Sequence, residues 1–364
     1  MAVSDRAEHV GSLLRPRDLL QARVGGADNL RALEDACILG ALARQQEIGL
    51  SICTAGEFRR RGFMSDFTDA VAGIDYGDGV ARAWQAGASA QGGQRSALPG
   101  VAVERLRQIR RLAAHESGFL RHHCDGPVKI TLPSANQFPA ICFKSGVTDK
   151  VYADRSALLW DIVPIIEAEI AALAAEGVDC IQIDAPRYSY FLDPKWRTYI
   201  ATEMGQDPDR ALDEAIRADN RCLAGAGGSA VTLAIHLCRG NNRSQWYAEG
   251  GYDAIAEKLF NELAVDTFLL EYDSERAGGF APLRFVPKDK RVVLGLVSSK
   301  VADLESSDEL KRRIDEASRY LPLENLALSP QCGFASNMEG NLLSEADQWR
   351  KLELVARTAR EVWG

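Results

Sequence analysis

Short apolar runs rich in β-branched residues alternate along this chain with longer stretches that have the apolar periodicity of amphipathic helices. This alternation predicts parallel strands joined by crossover helices. The pattern predicts eight strands, over residues 9–12, 50–57, 128–133, 179–186, 230–238, 267–273, 291–299 and 325–331. We therefore expect an α/β fold of the (β/α)8 TIM-barrel type, with residues 1–364 forming a single domain with loop excursions.

Helical periodicity is clearest over five stretches, residues 30–48, 155–175, 252–263, 310–320 and 345–363. Asp154 is suited to cap the second of these at its N-terminus. Ser344, followed three residues later by Asp347, predicts a capping box for the last. Gly177 lies where the helix over 155–175 should end.

Two stretches do not fit a minimal barrel, and a third carries an unusual number of aromatic residues. Residues 74–94 carry Gly-rich turn signals, which indicate a surface loop or short hairpins between the second strand and the next core element. Residues 134–146 follow the third strand, and a loop in that position lies over the active face of a barrel. Residues 187–196 form an aromatic stretch that could be either a lid over a bound small molecule or a packing or dimer patch. Its aromatic residues are Tyr188, Tyr190, Phe191 and Trp196.

Composition narrows the class of protein. The formal net charge of −8 argues against nucleic acid or an anionic membrane surface as the main partner. The chain shows no apolar signal core and no apolar run long enough for a membrane span, so we expect a cytoplasmic protein. The eight cysteines lack the spacing of a disulfide framework, which predicts reduced thiols that are free to bind metal.

The stretch around His236 and Cys238 carries the first chemical signal. These residues stand two apart at the end of a strand, so their side chains point to the same side. Both suit Zn²⁺ as ligands. Glu271 and Cys332 end two later strands, and the four side chains would form a tetrahedral set if those ends meet. A buried strand end with an incidental cysteine is the alternative.

Ser12, Glu57 and Asp184 close the first, second and fourth predicted strands. In a parallel barrel the catalytic groups come from the carboxyl ends of several strands. Together with the four candidate ligands, candidate residues then stand at six of the eight strand ends. Their common position predicts one shared pocket.

Several short motifs together give this chain a resemblance to a known family. They are His9-Val10-Gly11-Ser12-Leu13-Leu14-Arg15-Pro16, Ala55-Gly56-Glu57-Phe58, Gln182-Ile183-Asp184, His236-x-Cys238, Glu271 and Pro330-x-Cys332-Gly333. In type and order they resemble the catalytic barrel of cobalamin-independent methionine synthase and its relatives, which include epoxyalkane:coenzyme M transferase. The resemblance covers nearly the whole chain.

The resemblance implies a role for each matched residue. It implies that His236, Cys238, Glu271 and Cys332 hold Zn²⁺, which takes up a substrate thiol. It also implies that Ser12 binds the substrate carboxylate, and that Glu57 and Asp184 hold the substrate ammonium. The expected partners are therefore a small-molecule thiol and an alkyl donor.

Two positions depart from the family pattern. The methionine synthases that use methylfolate carry a Trp after the third strand to stack on the pterin, whereas this chain has Leu132-Pro133-Ser134. The family also places a His proton donor at the end of the seventh strand, where this chain offers Lys300. We interpret Lys300 as a catalytic acid or anion contact, with a solvated loop lysine as the alternative. These departures predict a donor other than methyltetrahydrofolate.

Three functions remain open. The first is zinc-dependent methyl or alkyl transfer to homocysteine sulfur, giving methionine, from a small methylated molecule or a methylcorrinoid protein. The second is alkyl transfer to another thiol such as coenzyme M. The third is a non-catalytic barrel with a structural zinc. The paired carboxylates favour the first, because a thiol that has no amine does not need them.

Overall fold

A computed structural model describes residues 6–76, 81–85, 93–96 and 100–364. Its strands are β1 (Val71–Asp75), β2 (Ala81–Trp84), β3 (Gly93–Ser96), β4 (Val101–Gln108), β5 (Lys129–Pro133), β6 (Cys180–Asp184), β7 (Thr232–Leu237), β8 (Thr267–Glu271), β9 (Arg291–Val297) and β10 (Leu326–Pro330). Six of these strands form one sheet in the order β10-β9-β8-β7-β6-β5, and every pairing within it is parallel.

Two further segments close this sheet into a ring. Ala7 forms a parallel bridge to Leu328 in β10, and Cys53 forms one to Val128 beside β5. The Ser51 amide donates to the carbonyl of Ala7 over 2.8 Å, which joins the two segments to each other. The predicted TIM-barrel fold is thus confirmed. The first predicted strand is displaced, because the ladder contact falls at Ala7 and residues 9–12 have no strand conformation.

The described part of the chain forms twelve α-helices. They are α1 (Arg17–Gly25), α2 (Leu30–Ile48), α3 (Ser65–Thr68), α4 (Ala114–His123), α5 (Pro139–Cys142), α6 (Arg155–Glu176), α7 (Ser189–Leu192), α8 (Pro194–Thr202), α9 (Pro208–Leu223), α10 (Ala256–Glu262), α11 (Ser307–Ser318) and α12 (Glu345–Trp363). No helix in the described part of the chain is long and apolar enough to span a membrane.

The helix ends follow the predicted capping chemistry. The Asp154 side chain accepts from the Ala157 amide at the start of α6, and Gly177 ends that helix with a φ of 77°. Ser344 and Asp347 form the predicted capping box of α12. The bounds of α2 and α12 agree with the prediction, whereas α9 was not predicted.

The excursion predicted over residues 74–94 is built from strands that pair outside the barrel. β2 pairs antiparallel with β3, as expected for a short hairpin, whereas β1 pairs antiparallel with β4, so the excursion begins before and ends after the predicted bounds. Residues 77–80 and 86–92 of the predicted stretch lie outside the described residues. Gln85 and Trp246 exchange two backbone hydrogen bonds of 2.6 and 3.0 Å, so the excursion contacts the loop after β7.

The aromatic stretch at 187–196 packs inward. Its four aromatic side chains are at most 5% exposed, and the rings of Tyr190 and Trp196 stack with their centroids 4.0 Å apart. The Trp196 indole N–H donates to the carbonyl of Tyr247 over 2.6 Å. Of the two roles left open by the sequence, the structure therefore shows packing.

Candidate active site and metal centre

The carboxyl ends of the barrel strands open into a cavity of about 360 Å³. Six of the predicted site residues line it, and they are Ser12, Glu57, Asp184, His236, Cys238 and Cys332. Glu271 and Lys300 are not among its lining residues. The loop over 134–146 contributes Gln137 and Ile141 to the wall, whereas Phe138 and Phe143 are buried elsewhere.

Three potential metal ligands converge at the floor of this cavity. One ligand atom from each of His236, Cys238 and Cys332 lies within 4.8 Å of the other two, and all three side chains are buried. Neither ring nitrogen of His236 has a hydrogen-bond partner within the described residues. Buried polar atoms are normally paired, so a soft-ligand cluster with orphaned ring nitrogens fits a Zn²⁺ ion.

The two cysteines strongly affect each other. The neighbouring Cys238 thiol lowers the pKa of Cys332 well below its ordinary value, while the pKa of Cys238 is raised by Cys332 and by burial. The pair therefore holds one thiolate more readily than an isolated buried cysteine would. A thiolate is the form that binds metal.

Glu271 stands beside this cluster with both carboxylate oxygens occupied. Its Oε2 accepts from the Arg239 amide over 2.8 Å. Its Oε1 accepts from Arg276 through Nε and Nη2, over 3.1 and 2.7 Å. Burial opposes the charge, but the guanidinium groups of Arg276 and Arg239 overcome it and lower the pKa of Glu271. The carboxylate is thus ionised and held at the end of β8, where Glu271 and Cys238 each follow directly after the paired residues Leu270 and Leu237.

Glu57 presents one free carboxylate oxygen. Its Oε1 accepts from the Thr131 hydroxyl over 2.9 Å and lies 3.6 Å from Arg60 Nη1. Its Oε2 is buried and has no hydrogen-bond partner within the described part of the chain. The backbone has a φ of 58°, in the left-handed region that a non-glycine residue rarely adopts. Strain of this kind concentrates at functional sites.

Asp184 faces the same cavity from the end of β6. The pKa of Asp184 is raised from 3.8 to about 7, mainly by burial, with the charge of His236 opposing the rise and the charge of Glu57 adding to it. Gln182 donates to Asp184 Oδ1 over 2.7 Å and fixes the side chain. Two buried carboxylates that destabilise each other's charge form a natural site for a cation.

Ser12 lies against the loop that carries Cys332. The Ala335 amide donates to Ser12 Oγ over 3.3 Å, and the Phe334 amide donates to the Ser12 carbonyl over 2.9 Å. A Cβ at Gly333 would approach Ser12 Oγ to 2.0 Å. Only glycine therefore allows the first and last strand ends to lie this close.

Lys300 is hydrogen-bonded to the loop after β7 and does not itself line the cavity. Its Nζ donates to the carbonyl of Gly240 over 2.9 Å and to Asn241 Oδ1 over 3.0 Å. Asn241 in turn donates to the carbonyl of Gly333 over 2.8 Å. The side chain is 4% exposed, which excludes the alternative of a solvated lysine.

The structure also adds lining residues that the sequence did not indicate. The cavity wall includes Phe63, Tyr247 and Arg243, which come from loops with no distinctive motif. Arg243 and Ser244 occupy a tight turn with φ values of 49° and 64°. These two successive positive φ values mark a tight turn. The sequence does not indicate the turn, because neither residue is a glycine.

The fold and the site together define a class. They describe a parallel α/β barrel with a His-Cys-Cys cluster and two buried carboxylates at the carboxyl ends of its strands. The chain belongs to the cobalamin-independent methionine synthase family: the family model described as "Cobalamin-independent synthase, Catalytic domain" matches residues 17–346. It is thus a methyltransferase of this family.

Individual relatives match the chain over nearly its whole length. Protein YxjH of Bacillus subtilis is 37% identical over 98% of this chain and 94% of its own length. The methionine synthase of Pyrococcus abyssi is 24% identical over 97% of this chain and 91% of its own. A B12-independent methionine synthase from Shewanella sp. W3-18-1, solved with selenomethionine, shares the fold with a TM-score of 0.75 at 18% identity, covering 99% of this chain and 98% of that one.

Proposed function

We propose that this protein transfers a methyl group to the sulfur of homocysteine, giving methionine, at a Zn²⁺ ion held by His236, Cys238 and Cys332. Glu271 is the fourth and exchangeable ligand. The observation that carries the proposal is the convergence of the three soft ligands with Glu57 and Asp184 on one cavity. A structural zinc would not need paired carboxylates in front of it.

The bound ion would keep the substrate sulfur as a thiolate at neutral pH. The chain's own residues do the rest. Glu57 Oε2 and Asp184 hold the ammonium, since carboxylate oxygens accept strong, charge-assisted hydrogen bonds from its N–H groups. Ser12 donates its hydroxyl to the carboxylate. These contacts fix the amino-acid end, so that the sulfur faces the cluster.

The transfer itself is a displacement. A bond forms between the sulfur and the methyl carbon while the bond from that carbon to the donor breaks, and the donor leaves with the electron pair. We propose that Lys300 acts on the site through Gly240 and Asn241, two residues of the cavity wall to which its ammonium donates. We propose that the donor is not methyltetrahydrofolate.

Asp184 provides the test of the acceptor. We expect Asp184→Asn to weaken homocysteine binding to the zinc-loaded protein roughly tenfold or more, because an ammonium loses a charged partner. A simple alkyl thiol such as propanethiol should bind almost unchanged. Calorimetry with both thiols measures the difference. Equal losses for the two thiols would contradict the proposal and favour transfer to a thiol that has no amine.

A further inference from the structure

Glu271 has two sets of possible partners, and the structure shows one of them. Its carboxylate is bound by the fork of Arg276 and by the Arg239 amide, and it is not part of the group formed by His236, Cys238 and Cys332. The proposed function gives it a second partner, the metal. A carboxylate oxygen that accepts two guanidinium hydrogen bonds is less available as a metal ligand.

Arg276 is built to hold this position. Its side chain is 11% exposed, so the ion pair with Glu271 is largely shielded from solvent. Asp273 accepts a further hydrogen bond from Nη2 over 3.0 Å. The guanidinium lies over the Trp246 ring, 4.6 Å from its centroid, and Trp246 is itself paired through its backbone with Gln85 of the excursion. The arginine is therefore fixed on several sides.

We propose that Arg276 is a positioning residue that competes with the metal for the carboxylate of Glu271. This inference rests on the proposed function, and it concerns how easily the metal exchanges Glu271 for the substrate thiolate. When a substrate thiolate binds, Glu271 returns to Arg276 and to the Arg239 amide, where its charge is already satisfied. Without that alternative partner the carboxylate would be left buried and unpaired, which is costly.

The direct test is zinc affinity, measured by competition with a chelator. Arg276→Gln should bind zinc about tenfold or more tightly than the unmodified protein, since the carboxylate loses a charge-assisted partner. Arg284→Gln is the matched control, because Arg284 belongs to the same connection between β8 and β9 and is exposed, and its guanidinium donates to the Ala281 carbonyl and lies over the Phe285 ring. It should leave the zinc affinity unchanged.

A double-mutant cycle separates the proposed contact from a general effect of positive charge. In a Glu271→Gln background, Arg276→Gln should no longer raise the affinity. An equal rise in both backgrounds would overturn the proposal, as would unchanged or weaker zinc binding by a folded Arg276→Gln protein. If that variant does not fold, Arg276→Lys keeps the charge and loses the fork. A smaller rise then supports the proposal, and no rise overturns it.

The Arg276 proposal and the proposed function fail on different zinc-binding results. If the unmodified protein binds no zinc, or binds it equally well without Cys238 and Cys332, the proposed function fails. If zinc binding depends on both cysteines but is indifferent to Arg276, only the present inference fails.

Discussion

At the scale of single residues, the two cysteines of the cluster carry the metal hypothesis. Cys238→Ser and Cys332→Ser should each reduce bound zinc well below one equivalent, because a serine hydroxyl is a poor substitute for a thiolate. The barrel should stay folded, since each change replaces one sulfur atom with an oxygen atom and leaves the volume of the side chain almost unchanged. Metal analysis and far-UV circular dichroism check both expectations.

Cys37→Ser is the control for these variants, because Cys37 lies half-buried on α2, away from the cavity. It should retain full zinc. Full zinc occupancy in either cluster variant would remove that cysteine from the proposed ligand set.

The backbone at Arg243 offers a second residue-scale prediction. Its φ of 49° costs an L-residue about 1 kcal/mol, a cost that glycine avoids. Arg243→Gly and Arg243→Ala remove the same side chain, but only glycine relieves the backbone. We expect the Gly variant to be more stable than the Ala variant by about 1 kcal/mol in urea unfolding. An Ala variant of equal or greater stability would show that the turn is not strained.

At the scale of elements, a buried carboxylate joins α9 to the loop after β5. Asp219 is fully buried, and its oxygens accept from the Ser134 and Tyr188 hydroxyls over 2.7 and 2.9 Å. Burial raises its pKa from 3.8 to about 6, an effect that the two hydroxyls only partly offset. The folded state thus binds a proton more tightly than the unfolded state does.

The sign of the pH dependence follows from that difference. The stabilisation from protonated Asp219 is fully present below pH 3.8 and is lost as pH rises through about 6. The free energy of unfolding, measured relative to Asp219→Asn, should therefore fall by up to about 3 kcal/mol across this window, from about two pKa units. Asp289→Asn, the same substitution at an exposed position, is the control for the loss of one carboxylate. A difference that stays flat with pH would contradict this account.

Elements with their own capping and periodicity could be predicted from sequence. α2 and α12 were predicted to the residue, because amphipathic periodicity and end signals are local. The first strand was displaced, because a single bridge at Ala7 holds it and no local pattern marks that contact. α9 was missed, although its buried positions follow helical spacing.

Only those site residues that lie at the carboxyl ends of strands could be predicted from the sequence. Six of the residues proposed from strand ends line one cavity, since parallel strands bring their carboxyl ends together. The environment of Lys300 was not predictable, because it depends on carbonyls some sixty positions away along the chain. Arg276 was not predicted for a different reason: its partner Glu271 is only five residues away, but their contact depends on the conformation of the loop after β8.

At the scale of the whole molecule, the shape of the cavity bears on the donor. Pro133 ends β5, and the Ser134 hydroxyl that follows is bonded to Asp219, so this segment offers no aromatic platform. Among the described lining residues the aromatic side chains are Phe63 and Tyr247, which stand on other loops. We expect methyltetrahydrofolate to give negligible methionine with the zinc protein and homocysteine. Turnover on the order of 1 per second or faster would contradict this.

The central claim is that the cluster at the barrel mouth binds zinc and accepts the sulfur of homocysteine. Zinc K-edge X-ray absorption, recorded with and without homocysteine, tests it most directly. We predict two protein sulfurs in the shell of the zinc protein, and a third sulfur in place of one oxygen when homocysteine is added. A shell that does not change with saturating homocysteine, or that contains no protein sulfur, would contradict the account.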